Sequence, residues 1–243
     1  MLIARCADAA MAILFAPVCA SCEDPLDAPS SGAVCDACWG AIRPLADPLC
    51  DTCGDALLSW RAGMPCMCLR CLRTPRVITR ARAIAAYDGS LRDILQALKY
   101  NGRRSVARRL GQLMAAAGTL LLGDADVVVP VPLHFTRRYS RGFNQAADLA
   151  SHVGLPVLHA LRRRRVTATQ TELPEHERHR NVDDAFTVRW GASARLRDSV
   201  VVVVDDVSTT GATLDACARV LLEAGAREVR ALTAARAASR LQR

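Results

Sequence analysis

Four Cys-x-x-Cys pairs stand in series near the start of the chain: Cys19/Cys22, Cys35/Cys38, Cys50/Cys53 and Cys68/Cys71. A two-residue spacing lets one tight turn present two thiolates to a tetrahedral metal about 2.3 Å away, and two such knuckles complete a four-thiolate site. The pairs are 16 residues apart from Cys19 to Cys35 and 18 apart from Cys50 to Cys68. These spacings predict two structural zinc ribbons, with Cys6 and Cys66 left over. Crossed pairings remain open, because connectivity is not written in the sequence. Disulfides are the alternative, but they need an oxidising compartment. A redox Cys-x-x-Cys pair stands alone rather than four in a row. Catalytic zinc draws on His or carboxylate ligands and keeps a water position, and residues 1–78 contain no His. Folding of residues 15–75 is therefore expected to depend on metal.

A second constellation lies far downstream. Asp205 and Asp206 are followed by Val207, Ser208, Thr209, Thr210, Gly211, Ala212 and Thr213. Backbone N–H groups of a turn that leads into a helix make an anion site, strengthened by the helix dipole. The hydroxyls of Ser208, Thr209, Thr210 and Thr213 add donors without bulk, and Gly211 permits close approach. Two adjacent carboxylates repel a phosphate, so they suit another group, and vicinal sugar hydroxyls fit because ionised Asp only accepts. A ribose 5-phosphate moiety meets both demands. The duller reading is a solvated acidic turn. A nucleotide-triphosphate loop is excluded, since it ends in Gly-Lys followed by Ser or Thr.

The elements that position this loop are legible around it. Val200 to Val204 is an unbroken β-branched run, as expected of a strand buried on both faces in a parallel sheet. A helix follows, with Cys217, Val220 and Leu221 as its apolar stripe and Gly225 as its stop, and Val229 to Thr233 forms the next strand. Further strands are predicted at Val127 to Val129, Ala83 to Tyr87 and Val157–Leu158. Helices are predicted over Leu91 to Lys99, Arg103 to Leu122 and Asn144 to Val153. Leu2, Ile3, Cys6, Ala10, Ile13 and Leu14 recur at helical steps as a short amphipathic helix. Alternating strands and helices make an α/β domain with a mainly parallel sheet, whose ligands bind beyond the carboxyl ends of the strands.

Composition divides the chain where the cysteines stop. Ten of eleven Cys lie between Cys6 and Cys71, and residues 1–78 carry a net −2 against +10 for residues 79–243. The expected organisation is a Cys-rich module over 1–78 and a basic domain over 79–243. With 51% apolar residues the chain is not disordered. Its longest uncharged apolar stretch, Ala9 to Ala20, falls short of the roughly 20 residues a bilayer span needs. No clean cleavage motif follows, so export is not expected and a cytoplasmic location is.

Val200 to Thr213 resembles the phosphoribosyl-pyrophosphate (PRPP) signature of the type I phosphoribosyltransferases. The chain as a whole resembles the ComF family, which joins a double zinc ribbon to that fold. The closer likeness is carried by Leu98-Lys99-Tyr100, the Val-Pro-Val-Pro-Leu-His run from Val129 to His134, and Arg141 to Gln145. It continues through Gln170-Thr171 with Leu173, Glu177-Arg178, Asn181-Val182 and Ala185-Phe186.

The resemblance implies that Asp205 and Asp206 hold the ribose 2′ and 3′ hydroxyls and that Thr209 to Thr213 wrap the 5-phosphate. It places the pyrophosphate against Pro130 to His134, including Val131 and Pro132, with Mg²⁺ arriving on PRPP. A hood is expected over Arg162 to Asn181, although Glu172, Asp183 and Asp184 depart from the family pattern. Lys99, the sole lysine among 32 basic residues, is either incidental or a compact charge for the pyrophosphate, and Arg141 is a further catalytic candidate. Asn144 and Gln145 are helix-start residues or acceptor contacts. His134 reads as a loop hydrogen-bonder, Arg162 to Arg165 as a solvated face or a clamp, and Cys217 as core. The activity implied is phosphoribosyl transfer to an unidentified acceptor. The rivals are a non-catalytic PRPP or nucleotide sensor, and a competence factor that binds single-stranded DNA or other competence proteins.

Overall fold

The computed structural model describes residues 8, 10–11, 14–57, 64, 66–100, 102–133, 142–163 and 185–237. The expected N-terminal amphipathic helix lies mostly outside these residues.

The strands are β1 (Ala81–Ala86), β2 (Val127–Pro130), β3 (Leu161–Arg163), β4 (Phe186–Val188), β5 (Val200–Ser208) and β6 (Glu228–Arg236). The helices are α1 (Asp36–Gly40), α2 (Leu69–Arg73), α3 (Gly89–Tyr100), α4 (Val106–Ala117), α5 (Thr119–Leu122), α6 (Gln145–Ala150), α7 (Ser193–Leu196) and α8 (Ala212–Glu223). β1, β6, β5 and β2 form one sheet in that order, and all three pairings are parallel. β3 and β4 form a separate antiparallel pair.

The five valines of β5 explain the layering. Alternate side chains leave opposite faces of a strand. Val201 and Val203 pack with Leu214, Cys217 and Leu221 of α8 and with Leu161 and Phe186 of the small ribbon. Val202 and Val204 pack with Leu91, Leu95 and Leu98 of α3, Leu110 and Met114 of α4, and Leu149 of α6. Both faces are therefore covered, as a parallel sheet requires. Each buried valine contributes roughly 1.5–2 kcal/mol of burial free energy, which makes β5 the spine of the domain.

Several elements differ from expectation. β5 runs beyond Val204 to Ser208, because Thr233, Ala235 and Arg236 of β6 lie alongside Asp205, Val207 and Ser208 in register. The long helix expected over Arg103 to Leu122 begins at Val106 and breaks at Gly118, where a Cβ would meet Leu232 Cδ1 at 2.9 Å. Val157–Leu158 contributes only an isolated parallel bridge from Val157 to Val128 at the β2 edge.

The Cys-rich segment packs directly on this domain. Cys19, Leu26, Val34, Cys38 and Trp39 belong to the same hydrophobic cluster as Ile84, Leu91 and Leu95. Among the described residues no helix is long and apolar enough to cross a membrane.

Candidate functional site

The eight thiols predicted as ligands gather into two groups, Cys19/Cys22/Cys35/Cys38 and Cys50/Cys53/Cys68/Cys71, each with its Sγ atoms within 4.8 Å of one another. The pairs are consecutive, not crossed. In each cluster a backbone N–H of one Cys-x-x-Cys turn faces a sulfur of the other: Cys35 N–H donates to Cys19 Sγ at 3.4 Å and Cys68 N–H to Cys50 Sγ at 3.3 Å. Such bonds stabilise thiolate. The separations Cys22–Cys35 at 3.8 Å and Cys53–Cys68 at 3.6 Å are far too long for a disulfide. They match the spacing of four sulfurs placed tetrahedrally about 2.3 Å from one ion. The donor set and geometry thus fit structural zinc at both places. Cys66 stays outside, its thiol donating to the Leu49 carbonyl at 3.1 Å.

At the C-terminal end of β5 the two adjacent carboxylates part. Asp206 leaves the strand on the α3/α6 side, where Lys99 Nζ lies 3.0 Å and Gln145 Nε2 3.1 Å from its Oδ2. Its Oδ1 accepts the Val207 N–H at 2.6 Å. Asp205 follows Val201 and Val203 toward the opposite face and accepts the Asp206 N–H at 2.9 Å. Burial and then the Asp206 charge push its carboxyl up to about 8, with Lys99 and Arg163 pulling the other way. The pair therefore straddles the strand end instead of lying side by side.

The turn that follows is short. Thr209 is exposed, Thr210 is buried, and Gly211 caps α8 at φ 81. Thr210 Oγ1 accepts the Ala212 N–H at 3.3 Å, satisfying one donor of the first turn. Arg76 lies against Gly211 where a Cβ would stand, and donates to the Thr210 carbonyl at 2.5 Å. In a trans peptide the C=O and the next N–H point oppositely, so the Gly211 N–H is aimed away from Arg76. Arg76 is itself held by Asp215, with Nε to Oδ2 2.9 Å. Ser208 is fixed from the other side, its Oγ accepting from Arg236 at 2.9 Å.

Several further candidates find definite places. Asn144 caps α6, accepting the Ala146 N–H at 3.1 Å, while its Nδ2 donates to the Val131 carbonyl at 3.0 Å. It thereby ties the Val131–Pro132 turn to the helix start. Gln145 is buried and donates through Nε2 to Asp206, so it belongs to the Asp206 cluster, and its Oε1 has no partner among the described residues. Arg162 donates to Thr187 Oγ1 at 3.0 Å and Arg163 stacks 5.4 Å from the Phe186 ring. Cys217 is wholly buried, and burial pushes its thiol up. His134, Arg141 and the hood from Arg164 to Asn181 lie outside the described residues.

Sequence reasoning passed over Asp55, Arg76, Asp215 and Arg236. Asp215 carried a usable signal, since it interrupts an otherwise apolar stretch from Leu214 to Ala218 at the start of α8. The other three are polar residues each with a partner more than a hundred positions away, Arg76 on Thr210 and Asp55 on Arg236.

Two family models match the chain: a double zinc ribbon domain over residues 10–72 and a phosphoribosyl transferase domain over residues 125–243. The chain is 34% identical to "DNA utilization protein YhgH" of Escherichia coli K12 over 223 residues, covering 87% of this chain and 93% of that protein. It is 28% identical to "Competence protein F" of Haemophilus influenzae, covering 90% and 96%. It is 26% identical to "Competence protein ComFC" of Bacillus subtilis, covering 79% of each. With both matched regions in this order and relatives aligned over nearly their whole length, the chain belongs to the ComF family, a double zinc ribbon joined to a type I phosphoribosyltransferase fold.

Proposed function

We propose that the protein binds PRPP at the end of β5, in the cytoplasm, and transfers its 5-phosphoribosyl group to an acceptor in the handling of DNA. One observation carries the reading: a turn of small hydroxylic residues enters the 12-residue helix α8 directly after two carboxylates at the end of a buried parallel strand. The first N–H groups of α8 and the hydroxyls of Thr209 and Thr213 receive the 5-phosphate. Asp205 and Asp206, leaving on opposite sides, approach a pentose diol standing beyond the strand end from both flanks. Lys99, 3.0 Å from Asp206, supplies positive charge on the side of Val131 and Pro132, where the pyrophosphate leaves. Mg²⁺ would come with PRPP as part of the substrate and would supply charge neutralisation at its phosphates. Transfer proceeds by cleavage of the C1–pyrophosphate bond, and the chain's part is to orient the acceptor and stabilise the departing charge.

Calorimetric titration with Mg-PRPP, with ribose 5-phosphate as control, tests the site. Saturable binding that is lost in Asp206→Asn supports it, and no binding to metal-loaded wild type removes it. Release of pyrophosphate with candidate acceptors separates transfer from binding alone.

A second reading draws on the relatives named for DNA utilization and competence. Trp190 is fully exposed in the turn between β4 and α7, beside Arg189 and followed by Arg195 and Arg197, all exposed. An aromatic face among arginines suits single-stranded DNA. This turn precedes the start of β5, at the end opposite Ser208. Trp190→Ala should weaken DNA binding under this reading, while Asp206→Asn leaves it unchanged.

A further inference from the structure

The second cysteine cluster reaches the Ser208–Gly211 turn through two guanidinium braces. Asp55 stands two residues after Cys53 and accepts from Arg236 at the end of β6, Nε to Oδ1 2.5 Å and Nη2 to Oδ2 3.2 Å. The Arg236 Nη1 then donates to Ser208 Oγ at 2.9 Å. Asp55 Oδ2 also accepts from Arg70 at 2.7 Å, and Arg70 lies between Cys68 and Cys71. Both knuckles of one cluster thus converge on a single carboxylate, whose far side leads to the turn. Asp55 and Arg236 are each at least nine-tenths buried, so a two-point fork holds its geometry tightly.

The knuckle is also pressed onto the sheet. A Cβ at Gly54 would meet the Ala81 carbonyl oxygen at 2.7 Å, and Arg82 donates to the carbonyls of Cys50 and Asp51, both at 3.3 Å. The second brace is Arg76, five residues beyond Cys71, which holds the Thr210 carbonyl and Asp215. The segment behind it is pinned as well, because the N–H groups of Val77 and Ile78 donate to Asp215 Oδ1 at 3.2 and 3.3 Å. The first cluster packs elsewhere, against Ile84 of β1 and Leu91 and Leu95 of α3, with Trp39 4.9 Å from the Arg109 guanidinium of α4.

We propose that Asp55, Arg236 and Arg76 are positioning residues that carry the geometry of the Cys50/Cys53/Cys68/Cys71 cluster to Ser208 and Thr210, so that metal held there and anion bound at the turn are thermodynamically linked. The anion side of this linkage rests on the PRPP reading above. Binding linkage is reciprocal: whatever metal does for PRPP affinity, PRPP does equally for metal affinity. The link is confined to the second cluster.

The test uses full-length metal-loaded protein and follows chelator-driven metal loss with and without Mg-PRPP, alkylating freed thiols and reading them peptide by peptide. Mg-PRPP is expected to slow exposure of Cys50, Cys53, Cys68 and Cys71 about fivefold or more, with little effect on Cys19, Cys22, Cys35 and Cys38. Asp55→Asn should abolish that difference, and Arg109→Ala, beside the first cluster, should preserve it. If Asp55→Asn does not fold, Arg236→Lys keeps the charge, loses the fork and is read in the same way. Equal slowing at both clusters, or none while calorimetry shows Mg-PRPP bound, overturns the proposal. If wild type binds no PRPP, the functional reading fails separately. Positioning is then judged by hydrogen exchange at residues 207–213: faster exchange when only the second cluster is emptied supports it, and unchanged exchange overturns it.

Discussion

Lys99 and Asp206 meet at 3.0 Å with side chains only 15% and 10% exposed. The ammonium comes from the last turn of α3 and the carboxylate from the end of β5, and the Tyr87 ring lies 5.8 Å from Nζ. The one lysine in the chain is thus spent on the second residue of the acidic pair. A compact charge on a flexible stem can hold Asp206 in the free protein and turn toward a phosphate when one arrives.

Lys99→Met should cost roughly 2 kcal/mol of stability, since it strands a largely buried carboxylate. Urea unfolding of the metal-loaded protein reads this directly. Mg-PRPP affinity should fall as well, and a variant that kept full affinity would remove Lys99 from the site.

Asp205 sets a dependence on pH. Its carboxyl is pushed up to about 8 in the folded chain, against about 4 when unfolded. Between these values the native state holds a proton that the unfolded state has lost. Stability from this group is therefore fully present below about pH 4 and is lost as pH rises toward 8, by at most about 1.4 kcal/mol per pH unit. Asp205→Asn should flatten this slope in a pH series of urea midpoints. Binding that requires ionised Asp205 should also release a proton near pH 7, seen as buffer-dependent heat in calorimetry.

Two glycines with positive φ make an instructive pair. At Gly54, φ 72, an added Cβ collides with the backbone oxygen of Ala81, whereas at Gly211, φ 81, it collides with the Arg76 side chain. Both substitutions by Ala carry about 1–2 kcal/mol of left-handed strain. Gly54→Ala should destabilise more, because backbone cannot swing aside, while Gly211→Ala should spare stability relative to Gly54→Ala but damage PRPP binding. Thermal melts and titrations of the two variants decide the order.

Removal of metal should loosen the ribbon segment and expose Trp39, which is buried against α4 beside Arg109. In a Trp60→Phe/Trp190→Phe background, chelator should shift emission to the red, and added zinc should reverse it. Emission unaffected by metal loss would separate Trp39 from the first cluster.

Much of this was legible locally. Cysteine spacing separated two clusters, the valine run located β5, and the order of acids, hydroxyls and glycine located the turn. Spacing along the chain reports such features because knuckles, strands and helix starts are made of neighbours. The same logic erred at Ser208, where pairing with β6 lengthened the strand, and at Gly118, which parts α4 from α5 where one helix was expected.

What folding alone decided is which distant residues share a place. Asp205 and Asp206 are adjacent in sequence, but strand alternation sends them to faces whose partners, Lys99 and Gln145 on one side, come from separate helices. Asp55 and Arg236 lie 181 positions apart and meet because β1 and β6 are neighbours in the order β1-β6-β5-β2. Local pattern specifies what each segment becomes; only closure of the sheet specifies which segments touch, since those contacts are selected by the packing of the whole core.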